Sequence, residues 1–129
     1  MSTPVSAVII DDTPVMRMTL SAILDYLDVE VLGEAENGRA GVDLVLELQP
    51  DLILLDILMP DMNGYLALEE INGRMKNPFV IMMTAVDDPE VKRESRLAGA
   101  QDYILKSSPP PEIIERLKKH VTFIAANRK

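Results

Sequence analysis

Asp11, Asp12, Asp56, Thr84 and Lys106 each stand at the carboxyl end of a short apolar run, and their types suit one chemistry. Carboxylates crowded together repel by about 4 kcal/mol per pair at 4 Å with an effective dielectric of 20, so three of them call for a compensating cation. A hard divalent ion such as magnesium takes oxygen ligands and keeps water while bridging to a phosphate. With the single positive charge of Lys106 the group becomes formally neutral, and a phosphoryl dianion can approach it. Asp56, on the middle run, is then placed to accept the phosphoryl group as an acyl phosphate. Thr84 and Lys106 can each donate to an equatorial oxygen, which is the positioning and charge neutralisation that phosphoryl transfer requires.

These residues come together only if the elements carrying them share an edge. Val5–Ile10, Leu52–Leu55, Phe79–Met83 and Tyr103–Leu105 are nearly continuous apolar runs, the pattern of strands covered on both faces. Val29–Ala35 mixes charges into its pattern and reads as an edge strand. Amphipathic stretches alternate with the five runs, which predicts an α/β chain of (βα)5 order with a doubly wound parallel sheet. In an open parallel sheet the carboxyl ends of the strands line one crevice, so topology joins Asp11 to Lys106 across 95 positions. Pro14 suits a first helical turn, with Asp12 or Thr13 as N-cap and Met16, Leu20, Ile23 and Leu27 as the buried stripe. Ser107-Ser108-Pro109-Pro110-Pro111 reads as a loop, followed by a helix that buries Ile114, Leu117, Val121 and Ile124. Pro89–Ala98 offers only Val91, Leu97 and Ala98 to bury and predicts a weakly held helix.

Composition bounds the function. The 129 residues predict one domain over 1–129, and 47% hydrophobic residues can fill its core without disulfides, since there is no cysteine. A net charge of −8 disfavours nucleic acid as a partner of this chain alone. The apolar run Val5–Ile10 ends at Asp11, too short for a signal peptide or a membrane span, and the expected setting is soluble and cytoplasmic. The methionines read as core filler and His120 as a solvated residue with no partner. A phosphohydrolase with an Asp nucleophile on a similar fold would need an acid two residues after Asp56, where Leu58 stands. A flavin phosphate would be repelled by Asp11-Asp12.

The order of five marks resembles the response-regulator receiver domain of two-component signalling, over essentially the whole chain. They are Asp11-Asp12, the run Asp56-Ile57-Leu58-Met59-Pro60-Asp61-Met62-Asn63-Gly64, Thr84-Ala85, Ala98-Gly99-Ala100, and Tyr103 three residues before Lys106. The opening Asp11–Met18 is similar to the chemotaxis-type single-domain receivers. The resemblance implies a flavodoxin-like strand order 2-1-3-4-5. It implies Asp56 as phosphoacceptor with Thr84 and Lys106 assisting, and magnesium held by Asp11, Asp12, Asp56 and the backbone carbonyl of Leu58. A sensor histidine kinase or phosphotransfer protein would donate, and the chain would catalyse only its own phosphorylation and dephosphorylation. Thr84 and Tyr103 would switch the face made by helix 4, strand 5 and helix 5. A downstream protein target, an output domain or a phosphorylation-dependent homodimer would use that face. Three positions depart from the family: Lys106-Ser107 replaces the usual Lys-Pro, and Leu58 and Val86 are apolar where the family tunes access of hydrolytic water. The first of these keeps alive an alternative, an unphosphorylated interaction module of the same fold.

Overall fold

The computed structural model describes residues 3–128; Met1, Ser2 and Lys129, at the ends of the expected 1–129 domain, lie outside the described residues. Strands and helices alternate as β1 (Ser6–Ile10), α1 (Pro14–Tyr26), β2 (Glu30–Ala35), α2 (Gly38–Leu48), β3 (Leu52–Asp56), α3 (Gly64–Arg74), β4 (Val80–Thr84), α4 (Pro89–Leu97), β5 (Asp102–Leu105) and α5 (Pro110–Asn127). The sheet is parallel throughout and ordered β2-β1-β3-β4-β5. The chain winds outward from β1 to the β2 edge, then crosses back through β3 and β4 to β5. This reversal beside β1 places the mouth of the crevice between β1 and β3.

Alternation along each central strand feeds two cores. Val8, Ile10, Ile53, Leu55, Val80 and Met82 face α2 and α3, where they meet Val42, Val45, Leu68 and Ile71. Ala7, Ile9, Leu52, Leu54, Ile81 and Met83 face α1 and α5, where they meet Leu20, Leu24, Leu117 and Ile124. Every residue of β3 and β4 is buried, whereas β2 alternates exposed and half-buried positions, as its charges and its place at the edge require.

The helices follow their end signals with small corrections. Thr13 occupies the N-cap of α1 and Pro14 its first turn, but the buried stripe is Leu20, Ile23 and Leu24, with Met16 and Leu27 only partly covered. Pro110 and Pro111 lie inside the first turn of α5, because proline lacks only an N–H that has no partner there. That helix buries Ile113, Leu117 and Ile124, one position away from the expected start at Ile114. The weakly held helix is α4: Ser95 is its sole buried residue, with Val91 partly packed.

Leu54 is fully buried at the centre of β3. Leu54→Ala should destabilise the fold by about 2–5 kcal/mol, measured by urea unfolding. A loss below about 1 kcal/mol would contradict a tightly filled core on that face.

Candidate functional site

Where β1 and β3 end, the sheet delivers Asp11 and Asp56 side by side, 1% and 3% exposed, with Asp12 on the solvent side of the pair. One carboxylate oxygen from each of the three lies within 4.8 Å of the others. From the end of β5 Lys106 reaches both buried acids, its Nζ 2.7 Å from Asp11 Oδ2 and 3.0 Å from Asp56 Oδ2. Its backbone N–H donates to the Thr84 carbonyl at 2.7 Å, so the β4–β5 ladder runs on into the site. The Lys106–Ser107 bond is trans, since the described residues contain no cis peptide.

Local contacts hold the β1–α1 turn. Asp11 Oδ1 accepts the Thr13 N–H at 2.9 Å. Arg17, one turn into α1, donates from its guanidinium to the Asp11 carbonyl at 2.7 Å and lies 3.4 Å from Glu34 on β2. On the β3 side, Asp56 Oδ1 accepts the Leu58 N–H at 3.3 Å, and Gly64 N–H closes the loop onto the Ile57 carbonyl at 2.6 Å. Gly64 must be glycine here, since a Cβ would sit 2.4 Å from the Asp56 carbonyl oxygen.

The electrostatics follow from crowding in a dry place. Burial pushes the Asp56 carboxyl up to about 6; Lys106 pulls it down and the charge of Asp11 adds to the rise. Burial works to lower the Lys106 pKa, but its two carboxylate partners outweigh it and the ammonium is held above its usual range. Asp11 Oδ2 is buried with no hydrogen-bond partner, and its contact with Lys106 is the ionic one. Three carboxylates against one ammonium leave two negative charges uncompensated, and a buried oxygen still lacks a directed partner. That donor set fits a hard divalent cation with oxygen ligands.

Thr84 is fully buried, and its Oγ1 accepts the Val86 N–H at 3.1 Å. The Val86 carbonyl in turn accepts the hydroxyl of Tyr103, whose ring is turned inward and 6% exposed. Asp11, Asp12, Asp56, Lys106 and Thr84 therefore line one edge of the sheet, and Tyr103 is tied to it through the Thr84–Val86 turn. Leu58, 58% exposed, projects beside the pocket.

Sequence reasoning misses two sets of contacts. His120 is not solvated: its Nε2 lies 2.6 Å from Asp102 Oδ2, its ring meets Phe79 edge-on at 5.5 Å, and Arg116 shares the same carboxylate. Burial pushes the Asp102 carboxyl up, but His120, the Tyr103 amide and Arg116 together hold it below its usual range. A lone histidine facing cationic neighbours along its own helix carries no signal of an acid on β5. Arg17 and Asp61 also escape, because both act through backbone groups: Arg17 holds the Asp11 carbonyl, and Asp61 accepts the Gly38 and Arg39 amides. Arg17 has a readable clue in its position six residues after Asp11.

The profile described as the response regulator receiver domain matches residues 7–118. Among curated proteins the chain is 40% identical over 111 residues to the chemotaxis protein CheY of Thermotoga maritima, covering 86% of this chain and 92% of that protein. It is 37% identical over 115 residues to the transcriptional regulatory protein LiaR of Bacillus subtilis, covering 88% of this chain but only 54% of LiaR. Among solved structures the response regulator domain of Thermotoga maritima CheB superposes with a TM-score of 0.86 at 28% identity, covering 98% of this chain and all of that one. CheY in the CheX–CheY–BeF3–magnesium complex of Borrelia burgdorferi gives a TM-score of 0.86 at 25% identity, over 91% of this chain and 89% of that one.

A carboxyl whose folded pKa lies near 6 instead of 3.8 binds its proton more readily folded than unfolded between those values. Stability therefore falls as pH rises through that window and stays lowered above it. In metal-free buffer Asp56→Asn should be more stable than wild type at pH 7, by at most about 3 kcal/mol, with the advantage fading towards pH 4. Urea unfolding at the two pH values checks this; a less stable variant at pH 7 would mean that the Lys106 pair outweighs the cost of burial.

Proposed function

We propose a function from one premise: this chain belongs to the response regulator receiver domain family of two-component systems. It acts as a phosphorylation-driven switch. The observation that carries the reading is a buried carboxylate, Asp56, at the end of the central strand, with two further acids within 4.8 Å and an ammonium 3.0 Å away. Support also comes from a structural relative whose complex contained beryllium fluoride and magnesium.

A sensor histidine kinase or phosphotransfer protein presents a phosphohistidine. An Asp56 carboxylate oxygen attacks phosphorus, the N–P bond breaks and the histidine keeps its electron pair, leaving an acyl phosphate on Asp56. Asp11, Asp12, Asp56 and the Leu58 carbonyl would hold magnesium, which supplies positive charge against the transferring oxygens. Lys106 is already on the Asp56 carboxylate and transfers its contact to a phosphoryl oxygen, while the Thr84 hydroxyl donates to another. Water later attacks phosphorus and restores the carboxylate and inorganic phosphate. The chain catalyses these two steps on itself and turns over no external substrate.

Moving Thr84 disturbs the turn in which its Oγ1 accepts the Val86 N–H, and with it the carbonyl that holds the Tyr103 hydroxyl. The adjoining α4 buries a single residue and yields first. The face of α4, β5 and α5 then presents an altered surface to a downstream protein, an output domain or a second copy of the chain. No helix among the described residues is long and apolar enough to cross a membrane, and a cytoplasmic setting beside the kinase is part of the reading. Lys106 in contact with both acids weighs against the unphosphorylated interaction module.

Incubation with magnesium and acetyl phosphate should add one phosphate by intact mass to wild type and none to Asp56→Asn. The adduct should be labile to hydroxylamine and its formation blocked by EDTA. A folded wild type that never gains the adduct would overturn the reading. Leu58 projects 58% exposed beside the acceptor and Val86 is half-buried, and neither side chain can orient a water. Leu58→Asn combined with Val86→Glu should therefore speed loss of the phosphate several-fold; an unchanged decay would show that these side chains do not govern access of water.

A further inference from the structure

The loop from Ile57 to Asn63 carries Leu58 and is closed at its base by the Gly64 N–H on the Ile57 carbonyl. Away from that base, the loop is tethered to the body through Asp61. Asp61 Oδ1 accepts the Gly38 N–H at 2.9 Å and Oδ2 accepts the Arg39 N–H at 3.0 Å, so one carboxylate grips two of the free amides that open α2. These two bonds, that of Arg39 first, hold the Asp61 carboxyl below its usual range. Met62 presses on the same point: a Cβ on Gly38 would sit 2.7 Å from Met62 Cβ. Helix α2 is a firm anchor, because the Arg39 guanidinium pairs with Glu70 on α3 and Val42 and Val45 are fully buried.

Only Met59 and Pro60 separate Asp61 from Leu58, and proline fixes its own φ, so little slack lies between the tether and the Leu58 carbonyl. We propose that Asp61 is a positioning residue for magnesium: it clamps the Ile57–Asn63 loop to the amino end of α2 and so aims the Leu58 carbonyl into the acid pocket. The inference rests on the proposed function, in which that carbonyl is a ligand. Asp61 is itself outside the acid cluster, both its carboxylate oxygens being engaged by the α2 amides. Without the clamp the loop samples other conformations, and the cation must order it on binding, which lowers affinity.

Asn37 provides the control. Its side chain accepts the Ala40 N–H at 2.8 Å and caps the same helix without holding the loop. Magnesium affinity is measured by calorimetry on wild type, Asp61→Asn, Asp61→Ala and Asn37→Ala, with urea stability measured on each. The clamp predicts that both Asp61 variants lose five- to twenty-fold in magnesium affinity, Asn milder than Ala. Asn37→Ala should lose stability to a similar degree and keep wild-type affinity. If the Asp61 variants lose stability only and bind magnesium as wild type does, Asp61 is merely a helix cap and the proposal is overturned. The same holds if Asn37→Ala weakens magnesium as much as they do. A wild type that binds no magnesium overturns the metal site of the proposed function and the clamp together, a result distinct from the other two.

Discussion

Two carboxylates buried against each other, Asp11 and Asp56, set the terms for the rest of this molecule. Neither acid can relieve the other, and Lys106, lying between them, neutralises one charge of the three present. Such a group destabilises any fold that holds it dry, so the strands beneath it must supply compensating burial. That is what β3 and β4 do: they are buried at every position, with alternate residues feeding a core on each face. The adjoining loops add fixed dipoles and charges aimed at the same acids. Arg17 holds the Asp11 carbonyl, the Thr13 amide holds the Asp11 side chain, and the Leu58 amide reaches Asp56. Charge strain is concentrated at one edge of the sheet, where the donor set suits a hard divalent cation that would relieve it.

The same edge is connected to a part of the surface that is loosely held. Thr84, Val86 and Tyr103 form one continuous hydrogen-bonded path from the pocket to β5. Beside it, α4 contributes one buried residue, fastened by Ser95 to its own Val91 carbonyl and by Tyr65 from α3 to the same group. Below it, Asp102 ties β5 to α5 through His120 and Arg116. The contrast is physical: β5 is tied to α5 by an ion-paired acid, whereas α4 buries only Ser95. In the proposed switch, a charge added at Asp56 would therefore act beside the most sparsely buried helix of the fold.

The legible part of this structure is the part written in strand periodicity and in chemistry at strand ends. Runs such as Leu52–Leu55 announce buried parallel strands, and the acids that stop them fall at one edge by topology alone. Helix faces are readable to within one position, as Ile113 in place of Ile114 illustrates, because a wide apolar stripe does not say which of its members sits deepest. The contacts that escape join a side chain to a distant backbone group or to another element. The Asp61 bonds to Gly38 and Arg39 span more than twenty residues and leave no pattern in either segment. His120 lies eighteen residues from Asp102, on a helix whose neighbouring positions are cationic and solvent-facing. Composition cannot distinguish an exposed histidine from one that a strand-borne acid has drawn in.

The serine after Lys106 bears on the same question. If a proline in that place were needed to direct the lysine, its replacement would leave Lys106 out of reach of the acids. Yet the ammonium meets both, through a trans bond to Ser107. Its placement comes from the other side: the register pairs Thr84 with Leu105, and the Lys106 amide continues that ladder onto the Thr84 carbonyl. Lysine at the first position beyond the strand is aimed by the sheet, and the attraction of two buried carboxylates sets its side chain. The segment after Lys106 is then free to serve the start of α5, where Pro110 and Pro111 enter the first helical turn.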